Sequence, residues 1–550
     1  MLRIRELKIS LDGGKSEILS AAAKRLKIST DDILSYRISK KSVDARKKAD
    51  VHFNISVDLD VKKEEKVLSR LKNEPTVSQI TEYSYTIPSI GLKGTRPVVI
   101  GSGPAGLFAA WTLAKAGTMP IVLERGLDVD SRTEMVERFW QSGELDPACN
   151  TQFGEGGAGT FSDGKLTTGM KDRRIELVLR QFVACGAPEE ILYAGKPHIG
   201  TDKLRGTIKN LRNEIIALGG EVIFGARFCD FERIGGRISS VSYEKNGTVT
   251  RIEADNVILA VGHSARDVFE LLYEKGAELI QKPFSAGMRI EHKQSWLNRA
   301  MYGDFAEHPA LSAADYKLAV HLPNGRGVYT FCMCPGGHVV AAASELGGVV
   351  TNGMSYHARS GENSNAAVLV SVEPSDFGSD HPLAGVEFQR RLERAAYAAG
   401  GSNYKAPAIC YGDLLSGKAS GFGDVTPTYR PGVVPVSPAE YLPDFIVSSL
   451  KEGIAQFGKK IRGFDAPEAV LTGVESRSSS PVRILRNEQL CSTNIRGLYA
   501  NDTSRSGIAK PPELIRRCDV MTTSVISFSD FMCIVYCSRS IGSNIVVHPT

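Results

Sequence analysis

The chain has 550 residues, enough for about two to four domains. Its net charge of +5 is small for this length and argues against nucleic acid as a partner, and 42% hydrophobic with 23% charged residues is ordinary for a globular protein. No apolar run approaches the roughly 18 residues of a membrane span, the N-terminus MLRIRELKIS has no signal-peptide core, and the cysteines lack a disulfide-framework spacing. These features predict a cytoplasmic protein without a membrane anchor.

Residues 1–92 are predicted to form a small N-terminal α+β domain of the ferredoxin-like kind. The segment 40–48 (KKSVDARKK) is predicted to be a basic loop, either a patch that binds phosphate groups or a solvated surface. The remaining pattern indicates strands at residues 2–9 and 51–57 and helices at residues 16–26 and 62–72.

Residues 97–125, PVVIGSGPAGLFAAWTLAKAGTMPIVLER, are predicted to form a dinucleotide-binding βαβ unit. Gly101 suits the tight turn after the first strand, Gly103 lets the backbone approach a diphosphate, and Gly106 lets the helix pack on the strand. Glu124 ends the second strand, where an acid binds ribose hydroxyls and disfavours a 2′-phosphate, so FAD or NAD is expected rather than NADP. The predicted cofactor contacts here are Gly101, Gly103, Pro104, Ala105, Gly106, Glu124 and Arg125.

A second glycine-dense segment, FGEGGAGTFSDGKLTTG at residues 153–169, is predicted to be a cofactor loop, with a glycine-rich surface loop as the alternative. Missing side chains let backbone N–H groups approach a ligand, and hydroxyls add donors. Gly262, after the apolar strand 256–262, fits either cofactor contact or a strand-ending turn. The predicted contacts in these segments are Gly154, Gly156, Gly157, Gly159, Thr160 and Gly262.

The order of the remaining elements predicts an α/β protein in which one domain is inserted into another. A β-meander at residues 231–252 returns the chain to the apolar strand 256–262, a combination found in two-domain flavoproteins. After the insertion, residues 470–475, 482–485 and 498–500 are predicted as strands that re-enter the cofactor domain. The predicted domains are 1–92, 93–282 (cofactor domain), 283–462 (inserted α+β substrate domain), 463–503 (return segment) and 504–550 (divergent tail).

Several segments together resemble a family of uncharacterised FAD-dependent dehydrogenases or oxidoreductases. The resemblance implies FAD, a Rossmann-like FAD-binding domain of the GR2-type flavoprotein and a redox activity on an unassigned substrate. The segments are GSGPAGLFAA (101–110), FGEGGAGTFSDGKL (153–166), FSAGMRIEH (284–292), FCMCPGG (331–337), TNGMSYHARSGENSNAA (351–367) and LTGVESRSSSPVRI (471–484).

The chain departs from this family at its C-terminal end. Such flavoproteins finish with a glycine-rich segment and a long helix that faces the flavin, whereas this chain continues from Tyr499 into NDTSRSGIAKPPELIRR. Asn501 and Asp502 imitate the usual glycine–acid pair, but Pro511 and Pro512 interrupt a helix. The sequence therefore predicts an intact diphosphate site and an altered flavin end.

The candidate catalytic residues are Arg289, His292, Cys332 and Cys334. Arg289 and His292 could bind a carboxylate or carbonyl substrate and transfer a proton, or could be a surface ion-pairing residue and a solvated histidine. The CxC pair could hold a strained disulfide or a reactive thiol beside the flavin, or could be buried and inert. Tyr356, His357 and Arg359 are further candidates on the substrate side, and no cysteine spacing indicates a metal site.

These patterns predict an FAD-dependent oxidoreductase that transfers hydride between a small organic substrate and FAD, with an unknown electron donor or acceptor. A flavin-dependent RNA-modifying enzyme is one alternative, because the N-terminal domain carries a basic cluster. A non-catalytic, degenerate flavin-binding protein is the other, because the C-terminal end is altered.

Overall fold

The N-terminal domain is an antiparallel sheet with two helices. A computed structural model describes residues 1–500 apart from 72, 83, 84, 93, 169–171 and 173, and the predicted tail at 504–550 lies outside these residues. The elements follow the order β-α-β-β-α-β, the connectivity of a split βαβ unit. They are β1 (Leu2–Ile9), α1 (Lys15–Leu26), β2 (Ile33–Asp44), β3 (His52–Val61), α2 (Glu64–Arg70) and β4 (Val77–Gln79), in the sheet order β2-β3-β1-β4.

The predicted basic loop is only partly a loop. Lys40 and Lys41 lie on β2, a strand that the sequence analysis did not predict, and the turn follows after Asp44. Polar residues dominate β2 because it is the edge strand of the sheet and none of its residues is fully buried. Lys41 also bridges to the next domain, since its N–H donates to the Tyr193 carbonyl and its carbonyl accepts from the Gly195 N–H, both at 2.7 Å.

The cofactor domain follows from residue 98. The predicted strand–turn–helix–strand unit and the predicted meander are both present, the meander as an antiparallel three-stranded sheet. The elements are β5 (Val98–Ile100), α3 (Pro104–Lys115), β6 (Ile121–Glu124), α4 (Val129–Ser142), α5 (Arg174–Ala184), α6 (Thr201–Ala217), β7 (Glu221–Phe224), β8 (Arg227–Ile234), β9 (Arg237–Lys245), β10 (Thr248–Glu253), β11 (Val257–Leu259), α7 (Arg266–Glu274) and β12 (Leu279–Gln281).

The second large domain, called the cap domain below, starts at residue 284 and is built on a seven-stranded sheet. Its long central strands β13 and β18 pair along ten residues and are almost wholly buried. Its elements are β13 (Phe284–Lys293), α8 (Gln294–Tyr302), β14 (Ala319–His321), β15 (Gly327–Cys334), β16 (His338–Ala341), β17 (Thr351–Met354), β18 (Asn363–Val372), α9 (Ala384–Ala399), β19 (Ala406–Cys410), α10 (Tyr411–Ser416), β20 (Val433–Pro435), α11 (Asp444–Gly458) and β21 (Val470–Glu475). After it follow β22 (Val482–Ile484) and β23 (Leu498–Ala500).

The cofactor domain contains a five-stranded parallel sheet in the order β23-β11-β5-β6-β7. Its strands β5 and β11 are apolar throughout, as expected for strands that are covered on both faces. In β5, Val98 and Ile100 pack into the core on the meander side, whereas Val99 packs into the core beneath α3 and α6. As predicted, β11 is a buried strand with a parallel neighbour on each side.

The return of the chain to the cofactor domain differs from the prediction. β21 was predicted to join the cofactor domain, but it lies in the cap sheet between β13 and β19. β22 pairs only with β12 at the boundary of the two domains, and β23 alone enters the parallel sheet. The prediction was wrong for β21 because its apolar pattern suits any buried strand and carries no information about the partner.

Candidate functional site

The glycine turn after β5 has the geometry that its sequence predicts. Gly101 adopts φ +97°, and a Cβ there would lie 2.5 Å from the Ala260 carbonyl oxygen at the end of β11. A Cβ on Gly106 would lie 1.8 Å from the carbonyl oxygen of Gly101. Both positions therefore need glycine, the first for its backbone conformation and the second for helix–turn packing.

The N-terminus of α3 opens into a large cavity. Gly103 is its N-cap residue, Pro104 occupies the first turn, and no side chain caps the helix. The first backbone N–H groups of a helix have no partner within it, and the helix dipole adds positive potential, so this end suits the diphosphate of FAD. Gly157 packs against Gly103 so closely that a Cβ would lie 3.0 Å from the Gly103 Cα. Gly103, Pro104, Ala105, Gly157 and Gly159 all line the cavity.

The Glu124 carboxylate organises the two glycine segments. One oxygen accepts hydrogen bonds from the N–H and hydroxyl of Ser102 at 2.8 and 2.7 Å, and the other accepts from the N–H groups of Gly126 and Gly154 at 2.9 and 3.0 Å. With two donors on each oxygen, ribose hydroxyls would have to displace one of them. Ribose binding by Glu124, which lines the cavity, stays a prediction.

Two glycines of the predicted cofactor loop serve packing rather than ligand approach. A Cβ on Gly154 would lie 2.4 Å from the Arg132 side chain, and one on Gly156 would lie 2.0 Å from the Thr160 hydroxyl. Thr160 is fully buried, and its hydroxyl donates to the Glu155 carbonyl at 3.2 Å. The expectation of a Thr160 donor toward the ligand is therefore corrected: this hydroxyl closes the loop on itself.

Arg125 and Gly262 lie on the wall of the same cavity. The Arg125 guanidinium stacks 4.3 Å from the Phe153 ring centroid and donates to Asp267 at 2.9 Å. Gly262 adopts φ +73°, and a Cβ there would meet no atom within 4 Å. Both contacts with the cofactor remain predictions, and the positive φ alone explains glycine at 262.

The cavity has a volume of about 1930 Å³ and takes its walls from the N-terminal, cofactor and cap domains. This exceeds the roughly 300–1,000 Å³ of ordinary small-molecule sites, so it has room for FAD and a substrate. Its walls carry more cations than anions. Two anions are neutralised locally, Asp44 by Arg46 and Asp315 by Lys196. Cationic lining residues include Lys40, Lys41, Lys48, Arg299, Lys460 and Arg462.

Arg289 is a structural residue and not a surface cation. It is fully buried on β13, binds both Glu475 oxygens at 2.8 and 3.0 Å, and donates to Asn365 at 2.6 Å. Burial lowers the pKa of Arg289, but the Glu475 carboxylate outweighs this effect and raises it. The predicted substrate role of Arg289 is corrected, because Glu475 and Asn365 already bind its guanidinium, which does not line the cavity.

His292 is equally remote from the cavity. Its ring stacks on Trp296 and contacts Phe464, both with ring centroids at 4.8 Å, and its Nε2 lies 2.8 Å from the Phe464 carbonyl oxygen. Burial lowers the pKa of His292 to about 4, so the ring is neutral. The prediction that His292 transfers a proton to substrate is corrected, since the ring is enclosed in the cap core.

Cys332 and Cys334 lie at the end of β15, and Cys332 lines the cavity. Both are free thiols, so the strained-disulfide alternative does not describe this state. The Cys334 sulfur lies 3.2 Å from the Cys332 carbonyl oxygen and 3.8 Å from Lys165 Nζ. The neighbouring Cys334, Lys165 and Arg289 together lower the pKa of Cys332 to about 6.

Asp163 and Lys165, which the sequence analysis did not select, connect the glycine loop to the cap domain. Asp163 is fully buried, forms a bidentate pair with Arg359 and lies 3.0 Å from Lys165. Burial lowers the pKa of Lys165, but Asp163 outweighs it and raises that pKa. The acid and the lysine in FSDGKL were the available signal in the sequence. The arginine that pairs with Asp163, Arg359, is 196 positions away and could not be inferred from it.

The other substrate-side candidates separate in the structure. Arg359 lines the cavity and pairs with Asp163. Tyr356 does not line it, and its side chain is 46% exposed. His357 stacks on His198, and its Nδ1 lies 3.0 Å from the Ile199 carbonyl oxygen. Within residues 1–500, apart from the few not described, no group of three or more potential ligands forms a metal site and no helix is long and apolar enough to cross a membrane.

Comparison with known proteins identifies the family. A family model described as "FAD-dependent protein, C-terminal domain-like" matches residues 283–478, and a "Domain of unknown function (DUF8436)" matches residues 1–60. An uncharacterised protein of Clostridium beijerinckii is 47% identical over 501 residues, covering 90% of this chain and 93% of the relative. The chain belongs to this family of FAD-dependent proteins, and its cofactor is FAD.

Two solved structures show a distant likeness to this chain. The flavin-dependent brominase Bmp2 matches 54% of this chain and 63% of its own at 12% identity, with a TM-score of 0.28. Glycerol-3-phosphate dehydrogenase from Bacillus halodurans, complexed with FAD, matches 51% of this chain and 48% of its own at 13% identity, with a TM-score of 0.27. The chain spans less than two thirds of either structure, and likenesses at these scores assign no activity.

Proposed function

We propose that this protein is an FAD-dependent oxidoreductase of the dehydrogenase type that transfers hydride between FAD and a small organic anion. One observation carries the proposal: a single cavity joins the bare helix end at Gly103 to the cap wall at Cys332 and Glu475. FAD supplies the electron-transfer chemistry, while the protein binds and orients the reactants. Because the cavity exceeds the needs of one ligand, a substrate fits beside the cofactor.

The charge of the cavity supports an anionic substrate. Lys40 and Lys48 reach it from the N-terminal domain and Arg462 from the segment after α11, and all three are exposed. Such a field attracts carboxylates or phosphates and raises their rate of association. The same lysines are the basis of the RNA-modifying alternative, but they line the same cavity as the bare helix end at Gly103, which favours a small anion beside FAD.

The seven cysteines that the structure describes are free thiols, which suits the reducing cytoplasm and keeps the proposed location cytoplasmic. The same proposal includes a small-molecule substrate and an electron partner of unknown identity, and it includes no nucleic-acid partner. The dehydrogenase type is preferred because hydride transfer needs only FAD and an oriented substrate.

Anaerobic mixing of FAD-loaded protein with a panel of 2-hydroxy acids, amino acids and phosphorylated alcohols tests the proposal. We expect one anionic class to bleach the visible flavin band, and its neutral ester or amide to react at least tenfold more slowly. Equal bleaching by the neutral analogue would contradict an anionic substrate. Colourless protein that takes up no FAD would favour the degenerate alternative, and salt-sensitive tRNA binding would favour the RNA enzyme.

A further inference from the structure

β15, the strand that carries Cys332 and Cys334, has a β-bulge opposite β18 at these two residues. β15 pairs with β18 through Phe331 opposite Ala367 and Cys334 opposite Asn365, so β15 has one extra residue in this interval. Cys332 adopts φ +43°, a left-handed conformation that is uncommon for a residue with a side chain. The bulge therefore sits at the CxC pair itself.

The bulge changes what the two thiols can do. In a regular strand, residues two apart are separated by roughly 6.5 Å, whereas a disulfide needs Cβ atoms about 3.5–4.5 Å apart. Here the Cys334 sulfur turns back to within 3.2 Å of the Cys332 carbonyl oxygen. The two thiols also affect each other's ionisation, because Cys334 lowers the pKa of Cys332 and Cys332 raises that of Cys334.

Two cations lie close to the pair. Lys165 Nζ lies 3.8 Å from the Cys334 sulfur, and Arg289 Nη1 donates to the Cys332 carbonyl at 3.2 Å. The Glu475 carboxylate opposes them, but it is already bound by Arg289. The pair is therefore built to hold one thiolate and one thiol, the state from which disulfides form.

Four of the five other thiols that the structure describes have a different environment. Burial raises the pKa of Cys149, Cys229 and Cys410, and raises that of Cys185 to about 11. These thiols stay protonated and unreactive at neutral pH.

Cys332 also lines the cavity that is proposed to hold FAD. Lys165 ends the loop whose Gly157 packs on Gly103, and Cys332 lines the cavity into which that helix end opens. The flavin of FAD, bound in this cavity, could accept two electrons from the thiol pair.

We propose that Cys332 and Cys334 form a dithiol–disulfide couple that exchanges two electrons with the bound FAD. In the oxidising direction, the Cys332 thiolate and the Cys334 thiol lose two electrons and one proton as the sulfur–sulfur bond forms. The electrons and the proton reduce FAD to FADH⁻, so charge and atoms balance, and the reverse step reopens the disulfide. The couple requires FAD but not the proposed organic substrate.

Reductive titration of the full-length, FAD-loaded protein without organic substrate tests this couple. The protein is oxidised with diamide, desalted and titrated anaerobically with dithionite. We expect the wild type to consume twice as much dithionite per flavin as Cys332→Ser or Cys334→Ser, because the disulfide takes up a second electron pair. Cys229→Ser, which removes a partly exposed thiol on β8, is the matched control and should behave as the wild type.

Differential alkylation with mass spectrometry measures the redox state of Cys332 and Cys334 in the wild-type protein. After diamide, we expect the peptide that contains both cysteines to resist alkylation and to be two hydrogens lighter, and after anaerobic flavin reduction to accept two alkyl groups. FAD-free protein should keep its disulfide under the same conditions. Two free thiols after diamide, equal dithionite uptake in wild type and Cys332→Ser, or equal disulfide loss without FAD would each overturn the proposal. None of these outcomes bears on the organic substrate, so the two proposals fail separately.

Discussion

The two walls of the cavity are constructed differently. The wall at Gly103 consists of backbone, with glycines at positions where a Cβ would collide with neighbouring chain. The wall at Cys332 includes the charged side chains of Glu475 and Arg359, which are held from behind by buried partners, Arg289 and Asp163. A backbone wall can bind an anion without any cation, whereas the other wall holds its charges only while every partner is present. Damage to the first should cost cofactor, and damage to the second should cost stability.

The largest effect is expected from Glu475→Leu, which leaves the Arg289 guanidinium buried with only Asn365 and a carbonyl as partners. Removing one member of a buried ion pair costs about 3–5 kcal/mol, measured as the free energy of unfolding in urea. Glu387→Gln removes a 56% exposed carboxylate from Arg390 and should cost less than about 1 kcal/mol. Equal losses in both variants would contradict the structural role of the buried pair.

Acid should destabilise the cap domain through His292. Its folded pKa of about 4 lies below the unfolded value of 6.5, so the unfolded chain binds more protons between these values and stability falls as pH drops. Lowering the pH from 7 to 5 should cost about 2 kcal/mol for this group. His292→Phe should flatten the dependence of unfolding free energy on pH, and an unchanged slope would contradict the buried neutral ring.

Gly103→Leu should break the backbone wall. The leucine side chain would occupy the space between the helix end and Gly157, and we expect at least tenfold weaker FAD binding, about 1.4 kcal/mol, with little change in stability. Flavin absorbance per protein after gel filtration measures it. Gly206→Leu on the exposed face of α6, where a Cβ meets nothing within 4 Å, is the size-matched control. Full flavin retention in Gly103→Leu would refute the diphosphate site.

The smallest effect is expected from Thr160→Val. The lost hydroxyl donates only to the Glu155 carbonyl, so stability should fall by about 1 kcal/mol while flavin content stays the same. Thermal unfolding and flavin absorbance separate the two quantities. Loss of flavin without loss of stability would restore the cofactor role that the sequence predicted for this residue.

The contrast also explains how far the sequence could predict the structure. Gly101 and Gly106 act within one strand–turn–helix segment, so the spacing alone predicted their roles. Arg289 and Glu475 are 186 positions apart, and the sequence offers no signal that joins them. Local sequence patterns therefore predicted the parallel sheet and the glycine turns, but they placed β21 in the wrong sheet and gave Arg289 and His292 a role in catalysis.

The bridge between Lys41 and residues 193–195 has a consequence for how this protein can be divided. Two main-chain hydrogen bonds fasten the edge of the first domain across the cofactor domain. Residues 40–48 form part of the cavity lining. In a fragment that starts after residue 92, this side of the cavity would be open to solvent. Water would then reach the bound cofactor and substrate, and the substrate selectivity of such a fragment would differ from that of the whole protein.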